Sequence, residues 1–364
     1  MKKAVYSLII LLGIAGCSTI PKTQGHGTKK PKRIILLIGD GMGLTQISSL
    51  YVESDNTTNF NRFTHVGLMN PKSASHKITD SAAGATAFAC GKKTYNGAIG
   101  MGPDTTSIPN LVEILSARKY ETGVVATSAI THATPASFYS HTIHRKLEYD
   151  IAGQLLKSDI DFFAGGGSKY FAHRESDMKL YNWTIDSSKS VQPIPVKSRQ
   201  GAERLGYLLG ENGLPTAQTD RGNFLHNASE AAITFLDKSK YFLMIEGSQI
   251  DWGGHANDYS YVNSEMKDFD KVLGYVLDYA EKDGETLIIV TADHETGGLA
   301  LNPKAETDLQ GKTHRNYDSI EPSFTTGGHT AALIPVFAYG PGAAHFTGMY
   351  ENTDIFKKIL ELAR

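Results

Sequence analysis

Arg33-Ile34-Ile35-Leu36-Leu37-Ile38-Gly39-Asp40-Gly41-Met42-Gly43 is the stretch on which the fold turns. Arg33–Ile38 is an unbroken apolar run without polar alternation, which suits a strand buried on both faces of a parallel sheet. It breaks at once into a glycine-rich turn. The glycine spacing fits neither the dinucleotide fingerprint nor a P-loop, since no Lys-Ser/Thr follows. Asp40 is the informative residue. Alone, an aspartate there is a turn former or cap; at a strand's carboxyl end it is also a candidate ligand.

Further buried strands are expected at Thr122–Thr127, Ile160–Ala164, Tyr241–Ile245, Thr286–Thr291 and Leu333–Tyr339. Helical patterns alternate with them. Ser107–Ala117 has Ser107 as cap and Pro109 near its first turn. Arg145 opens a mixed segment that is helical through Leu156. Asn227–Leu236 and Thr353–Leu362 follow, and Val262–Ala280 places Met266, Phe269, Leu273, Val276 and Ala280 on one side. The alternation predicts an α/β fold, a three-layer αβα sandwich around a large, mostly parallel, doubly wound sheet. Residues 33–364 read as one catalytic domain. The pattern weakens at about 168–224, which reads as a decorating insertion with a short helix near Ala202–Leu209.

The chain has 364 residues, 40% hydrophobic and 20% charged, with a net charge of −2 that indicates no nucleic-acid partner. Its start is a targeting segment. Met1-Lys2-Lys3 precedes an apolar run, Ala4–Ala15, too short for a comfortable membrane span. Ile14-Ala15-Gly16-Cys17-Ser18 then resembles a bacterial lipobox. The expectation is a signal peptide over 1–17, a lipid on Cys17 as the membrane anchor, a flexible tether over 18–32, and export to the periplasm. Ordinary cleavage near Gly16 is the alternative. The other cysteine, Cys90, reads as a small buried hydrophobe.

Asp40, His132, Thr134, Glu246, Asp251, Asp293 and His294 all fall at or just past strand ends, where open α/β sheets bind ligands. Carboxylates gathered there repel one another, and divalent cations relieve the repulsion. His and Asp suit Zn²⁺, while oxygen donors suit Mg²⁺. Asp251 and His255, four apart, can grip one ion and need a third ligand. Asp293 and His294 can share another with Asp40, and Glu246 and Thr134 offer oxygens for a third. Ser81 stands apart from these. It heads a helix of very small residues, Ile78–Gly91, capped at Asp80–Ser81, where the positive helix end attracts anions.

Ile78-Thr79-Asp80-Ser81-Ala82-Ala83-Gly84-Ala85-Thr86 resembles the nucleophile motif of the alkaline phosphatase family. Arg33–Gly43, Glu246–His255, Thr291–Gly298 and Gly327-Gly328-His329-Thr330-Ala331 resemble its metal-binding blocks, in the family's order. The resemblance implies phosphate monoester hydrolysis with two Zn²⁺ and one Mg²⁺ and with Ser81 as nucleophile. It implies that Asp251, His255 and His329 hold one zinc, and that Asp40, Asp293 and His294 hold the other beside Ser81. Asp40, Glu246 and Thr134 would hold the magnesium, and Arg145 would clamp two phosphate oxygens. It also favours a homodimer. Two positions depart from one form of the pattern, His132 and Trp252 standing where some members carry Asp and Lys. His132 takes a carboxylate from the third metal, and Trp252 takes a cation from the phosphate. The remaining rivals are a phosphodiesterase of the same superfamily and a non-catalytic phosphate- or metal-binding protein. A sulfatase is disfavoured, because Ser81 lacks the Cys/Ser-x-Pro-x-Arg setting. His65, His76, His141, His144, His173, His226, His314 and His345 fit no block and read as surface or core residues.

Overall fold

The computed structural model describes residues 30–53, 57–187, 204–237 and 240–363; the expected signal peptide, Cys17 and residues 18–29 of the tether lie outside these. The Arg33 run forms β1 (Arg33–Gly39), and Ile34 to Ile38 have no solvent exposure. The other strands in chain order are β2 (His65–Asn70), β3 (Glu121–Ala129), β4 (Phe162–Gly166), β5 (Trp183–Asp186), β6 (Arg204–Leu208), β7 (Tyr241–Gly247), β8 (Thr286–Thr291), β9 (Glu295–Thr296), β10 (Leu299–Thr307), β11 (Thr313–Phe324), β12 (His329–Thr330), β13 (Ile334–Tyr339) and β14 (Gly348–Glu351). One sheet takes ten of them in the order β14-β2-β13-β8-β1-β7-β3-β4-β6-β5. Its pairs are parallel except around β13, which runs against both β2 and β8.

A sheet with a fully buried central strand must be covered on both faces. The helices are α1 (Leu44–Glu53), α2 (Ser81–Cys90), α3 (Leu111–Ala117), α4 (Ala133–Ala136), α5 (Glu148–Lys157), α6 (Glu175–Leu180), α7 (Phe224–Leu236), α8 (Gln249–His255), α9 (Tyr259–Asp283) and α10 (Thr353–Leu362). Eight of them form two groups. α7 and α9 pack together and against β3, β4, β7 and β8, with α1 and α8 on α9; α2 packs with α3, α4 and α10, and α3 and α4 meet β3 and β7. The result is the expected α/β layering about a large, mostly parallel sheet.

Several local expectations are corrected. Residues 204–208, expected as part of a helix, form β6, because parallel pairing with β4 and β5 overrides the Leu205/Leu208/Leu209 spacing. The 168–224 stretch thus extends the sheet at one edge. The helix expected from Ser107 begins at Leu111, where Asn110 and Glu113 form a capping box. α1, β2, β14 and the β10–β11 hairpin were not foreseen.

Register places the chemistry. Glu246 lies level with Ile38 of β1 and Ala126 of β3, and Ile38 lies level with Thr291 of β8. The next residues out along these strands, Asp40, Asp293 and His294, therefore emerge at one edge.

Candidate active site

α2 brings Ser81 to that edge. Asp80 caps it, accepting from Ala83 N at 3.0 Å, and every residue of the helix is buried. The Ser81 hydroxyl lies 3.2 Å from His294 Nε2. His294 Nε2 in turn lies 3.1 Å from Asp293 Oδ2 and 3.5 Å from Asp40 Oδ1. Gly41 closes the turn after Asp40 at φ 74°, and its N donates to Asp293 Oδ1 at 3.2 Å. A Cβ there would sit 2.7 Å from the Asp251 Cα, so only glycine fits.

Asp251 and His255 share one face of α8, with His255 Nε2 3.4 Å from Asp251 Oδ2. His329 arrives from β12, its Nε2 3.2 Å from His255 Nε2 and 3.6 Å from Asp251 Oδ1. Each of these rings has its other nitrogen on a backbone carbonyl: His255 Nδ1 on Gly327 O at 2.7 Å, His329 Nδ1 on Thr79 O at 2.9 Å. Carbonyls only accept, so the Nδ1 atoms carry the protons and the Nε2 lone pairs converge.

A third group gathers Asp40, Glu246 and His132. Thr134, on α4 beside it, is fully buried. Ser248 donates to Glu246 Oε2 at 2.6 Å and Ser128 at 3.4 Å. Arg145 Nη1 meets Asp80 Oδ2 at 3.3 Å, and its Nη2 meets His132 Nε2 at 3.1 Å. A guanidinium has no acceptor, so His132 Nε2 accepts and the ring is neutral. Burial, helped by Arg145, pushes that imidazole down to about 3. Trp252 lies edge-on to His132, ring centroids 6.2 Å apart.

These groups fit cations. Both oxygens of Asp40, Asp293 Oδ2, Glu246 Oε1, Thr134 Oγ1 and His132 Nδ1 are buried without a hydrogen-bond partner. Buried polar atoms in natural proteins are almost always satisfied, so a cluster of orphans points to a missing partner. Burial, with the charges of Asp293, Asp251 and Glu246, raises Asp40 well above the carboxylate range. Burial lifts Glu246 to about 7 against the Ser248 hydroxyl. Burial also works on Asp293, but His294 outweighs it and holds that carboxyl low. A divalent cation removes the like-charge cost in each case. Aspartate–histidine sets suit zinc, and the oxygen-rich third set suits magnesium less well for having His132 in it.

Sequence reasoning gave no role to Thr296. Its hydroxyl donates to Asp251 Oδ1 at 2.5 Å and lies 3.2 Å from His294 Nδ1. A hydroxyl has one proton, so it accepts from His294 Nδ1 and turns Nε2 toward Ser81, Asp293 and Asp40. Glu295, its neighbour, was also passed over. It accepts from Gln46 Nε2 at 2.8 Å and from the Thr330 hydroxyl, holding β12 and so His329 in place. Both residues lie inside a quoted motif, and only their geometry distinguishes them.

Comparison with known proteins agrees with this arrangement. The family model for alkaline phosphatase matches residues 31–187 and 197–322. Alkaline phosphatase 3 of Bacillus subtilis is 33% identical, over 98% of this chain and 95% of its own. The structure of alkaline phosphatase from the Antarctic bacterium TAB5 superposes with a TM-score of 0.87 at 49% identity, covering 92% of this chain and 98% of that one. A histidine-to-glutamate variant of the TAB5 enzyme, with Mg bound in its M3 site, has a TM-score of 0.88 at the same identity and coverage. With a family model matched over most of its length, full-length relatives and candidate metal-binding groups gathered on one sheet edge, the chain belongs to the alkaline phosphatase family and is a metal-dependent phosphatase.

Proposed function

We propose that this chain is an exported enzyme that hydrolyses phosphate monoesters to an alcohol and inorganic phosphate through a phosphoserine at Ser81, with two Zn²⁺ and one Mg²⁺. The observation that carries the reading is the Ser81 hydroxyl, 3.2 Å from His294 Nε2 at the start of α2. Asp251, His255 and His329 would hold one zinc, and Asp40, Asp293 and His294 the other. Asp40, Glu246 and Thr134 would hold the magnesium, with His132 beside them. When bound, such ions supply Lewis-acid stabilisation of the attacking and departing oxygens of an in-line displacement. The N-terminal amides of α2 and the Arg145 guanidinium draw the phosphoryl oxygens over Ser81. Ser81 Oγ attacks phosphorus, the ester oxygen leaves with a proton, and water then cleaves the phosphoserine from the vacated side.

Hydrolysis of an aryl phosphate monoester, a diester and a sulfate, with and without chelator, tests the reading. Wild type should turn over the monoester, and Ser81→Ala should lose most of that activity. Monoester turnover retained in Ser81→Ala would falsify the covalent route. A diester preference would favour the phosphodiesterase reading, and inactivity with tight phosphate binding the non-catalytic one. Export through 1–17 with a lipid on Cys17 belongs to the same proposal. Palmitate labelling of the whole chain, lost in Cys17→Ser, is the expected result. The homodimer is tested by molar mass in solution.

A further inference from the structure

Of the histidines outside the motif blocks, His141 is built into the arm that carries Arg145. Its Nδ1 lies 2.8 Å from the Gly100 carbonyl and its Nε2 3.0 Å from Glu113 Oε1. Both partners are acceptors, so both nitrogens donate and the ring is an imidazolium. Glu113 is itself fixed, since its other oxygen accepts from Asn110 N at 2.8 Å in the capping box of α3. Gln154 of α5 brackets the backbone, accepting from His141 N at 2.8 Å and donating to His141 O at 3.1 Å. Gly100 has φ 60°, and a Cβ there would fall 2.6 Å from His141 Nδ1 and 2.3 Å from Ser140 O. Only glycine lets the two segments meet this closely.

From this anchor a short antiparallel ladder runs toward Ser81. Ile99 and Thr142 exchange both backbone bonds, at 3.0 and 2.8 Å, and Arg145 N donates to Gly97 O at 2.8 Å. Gly97 N then donates to Asp80 Oδ2 at 2.9 Å, the carboxylate that also meets Arg145 Nη1. One end of the ladder is His141. The other is the junction of Arg145, Asp80 and the Ser81 helix.

We infer that His141 is a positioning residue: tied as an imidazolium between Gly100 and Glu113, it holds the Arg145 arm in register with Ser81, and loss of its proton weakens phosphate binding. This rests on the reading of Arg145 as the phosphate-binding arginine. Glu113 from α3 meets the ring directly, and Asp150 and Lys157 of α5 and Arg174 line with the ring an open cavity of about 510 Å³. The hydrogen bond to Glu113 holds His141 above the ordinary imidazole range, against burial. The ring therefore holds its proton to higher pH than a free imidazole does. Once that proton is lost, Nε2 faces Glu113 Oε1 acceptor to acceptor, and that contact opens.

The experiment is competitive inhibition by inorganic phosphate in the metal-loaded full chain, from about pH 6 to about pH 10, bracketing the imidazole range. In wild type the inhibition constant should rise as His141 deprotonates. Glu113→Gln keeps the contact once His141 is neutral, because its amide donates to His141 Nε2 while its carbonyl still accepts from Asn110 N. That variant should flatten the rise. His141→Ala should raise the constant about fivefold below the transition, the worth of one net hydrogen bond, and leave little further pH change. A Glu113→Gln profile identical to wild type, or a His141→Ala constant that does not move, overturns the inference. Arg145→Ala keeps the two readings apart. A large rise there beside unmoved His141 and Glu113 variants sinks only the positioning role, whereas no rise sinks the Arg145 reading and the inference with it.

Discussion

Two candidate ligand clusters, both of acids and histidines, sit side by side on one sheet edge and are built in opposite ways. The inner one, Asp40, Glu246, Asp293 and His294, has no solvent exposure. Several of its oxygens have no partner at all. In the outer one the His255 and His329 side chains are 42% and 14% exposed, and each ring is steadied by a carbonyl. The outer cluster can therefore stand as a hydrated, preoriented site, whereas the inner one is a concentration of buried charge that only protons or a cation can relieve. The inner site is therefore where metal removal is expected to cost the fold most.

The largest expected effect comes from removing one histidine from each. His294→Ala should lower kcat/KM by about 10³-fold or more, the scale of a lost transition-state charge stabiliser, and added Zn²⁺ should not restore it. His255→Ala should lose about 10–100-fold and recover with excess Zn²⁺, because water can take the exposed position. Equal losses with equal recovery would erase the distinction between the clusters.

Next in size is the pH dependence of the metal-free protein. Glu246 rests near 7 in the folded state against 4.5 as its ordinary value. Between those values the native state holds a proton that the unfolded chain has released, so stability falls as pH rises through the window. The loss is on the order of 3 kcal/mol at about 1.4 kcal/mol per pH unit. Denaturation of chelated protein at pH 5 and pH 8 measures it, and Glu246→Gln should remove this share and leave that of Asp40. Stability that instead rises across the window would show the inner charges relieved in some other way.

Thr296 joins the clusters, holding Asp251 of the outer one and His294 of the inner one on a single hydroxyl. Thr296→Val keeps the shape and deletes that oxygen. It should weaken metal binding at both sites by about 10–100-fold, read by calorimetric Zn²⁺ titration of stripped protein, while Thr296→Ser keeps most of the affinity. Loss at one site alone would mean that the clusters are independent.

What was legible beforehand follows the same physical line. β8 and α10 match their expected limits, Thr286–Thr291 and Thr353–Leu362, because a fully buried strand and a strongly amphipathic helix print their surroundings into the chain. The β10–β11 hairpin left no such print. Only Leu299 of it is buried, the rest being part-exposed or exposed, so nothing forced apolar alternation on it. β2, with His65 and Gly67 inside it, has no unbroken apolar run to mark it and is held as a strand by pairing with β13 and β14. At the site, acids and histidines announced themselves by falling at strand ends. Thr296 and His141 did not, since each matters through partners dozens of residues away.

His132 and Trp252 give the smallest expected effect and the finest cut between the clusters. His132 joins the inner cluster as a neutral ring that takes a hydrogen bond from Arg145, and Trp252 covers it edge-on where a cation would otherwise attract phosphate. In His132→Asp/Trp252→Lys the new carboxylate gives Arg145 a charged partner and adds an oxygen donor for Mg²⁺, while the ammonium adds a charge for phosphate. Phosphate inhibition should strengthen about fivefold, the worth of roughly 1 kcal/mol from one partly exposed charge pair. Product release should slow with it, and added Mg²⁺ should raise activity more than in wild type. Unchanged phosphate inhibition would mean that these two side chains only pack. Stronger inhibition with no change in the Mg²⁺ response would assign the effect to Trp252→Lys and leave the inner cluster indifferent to its histidine.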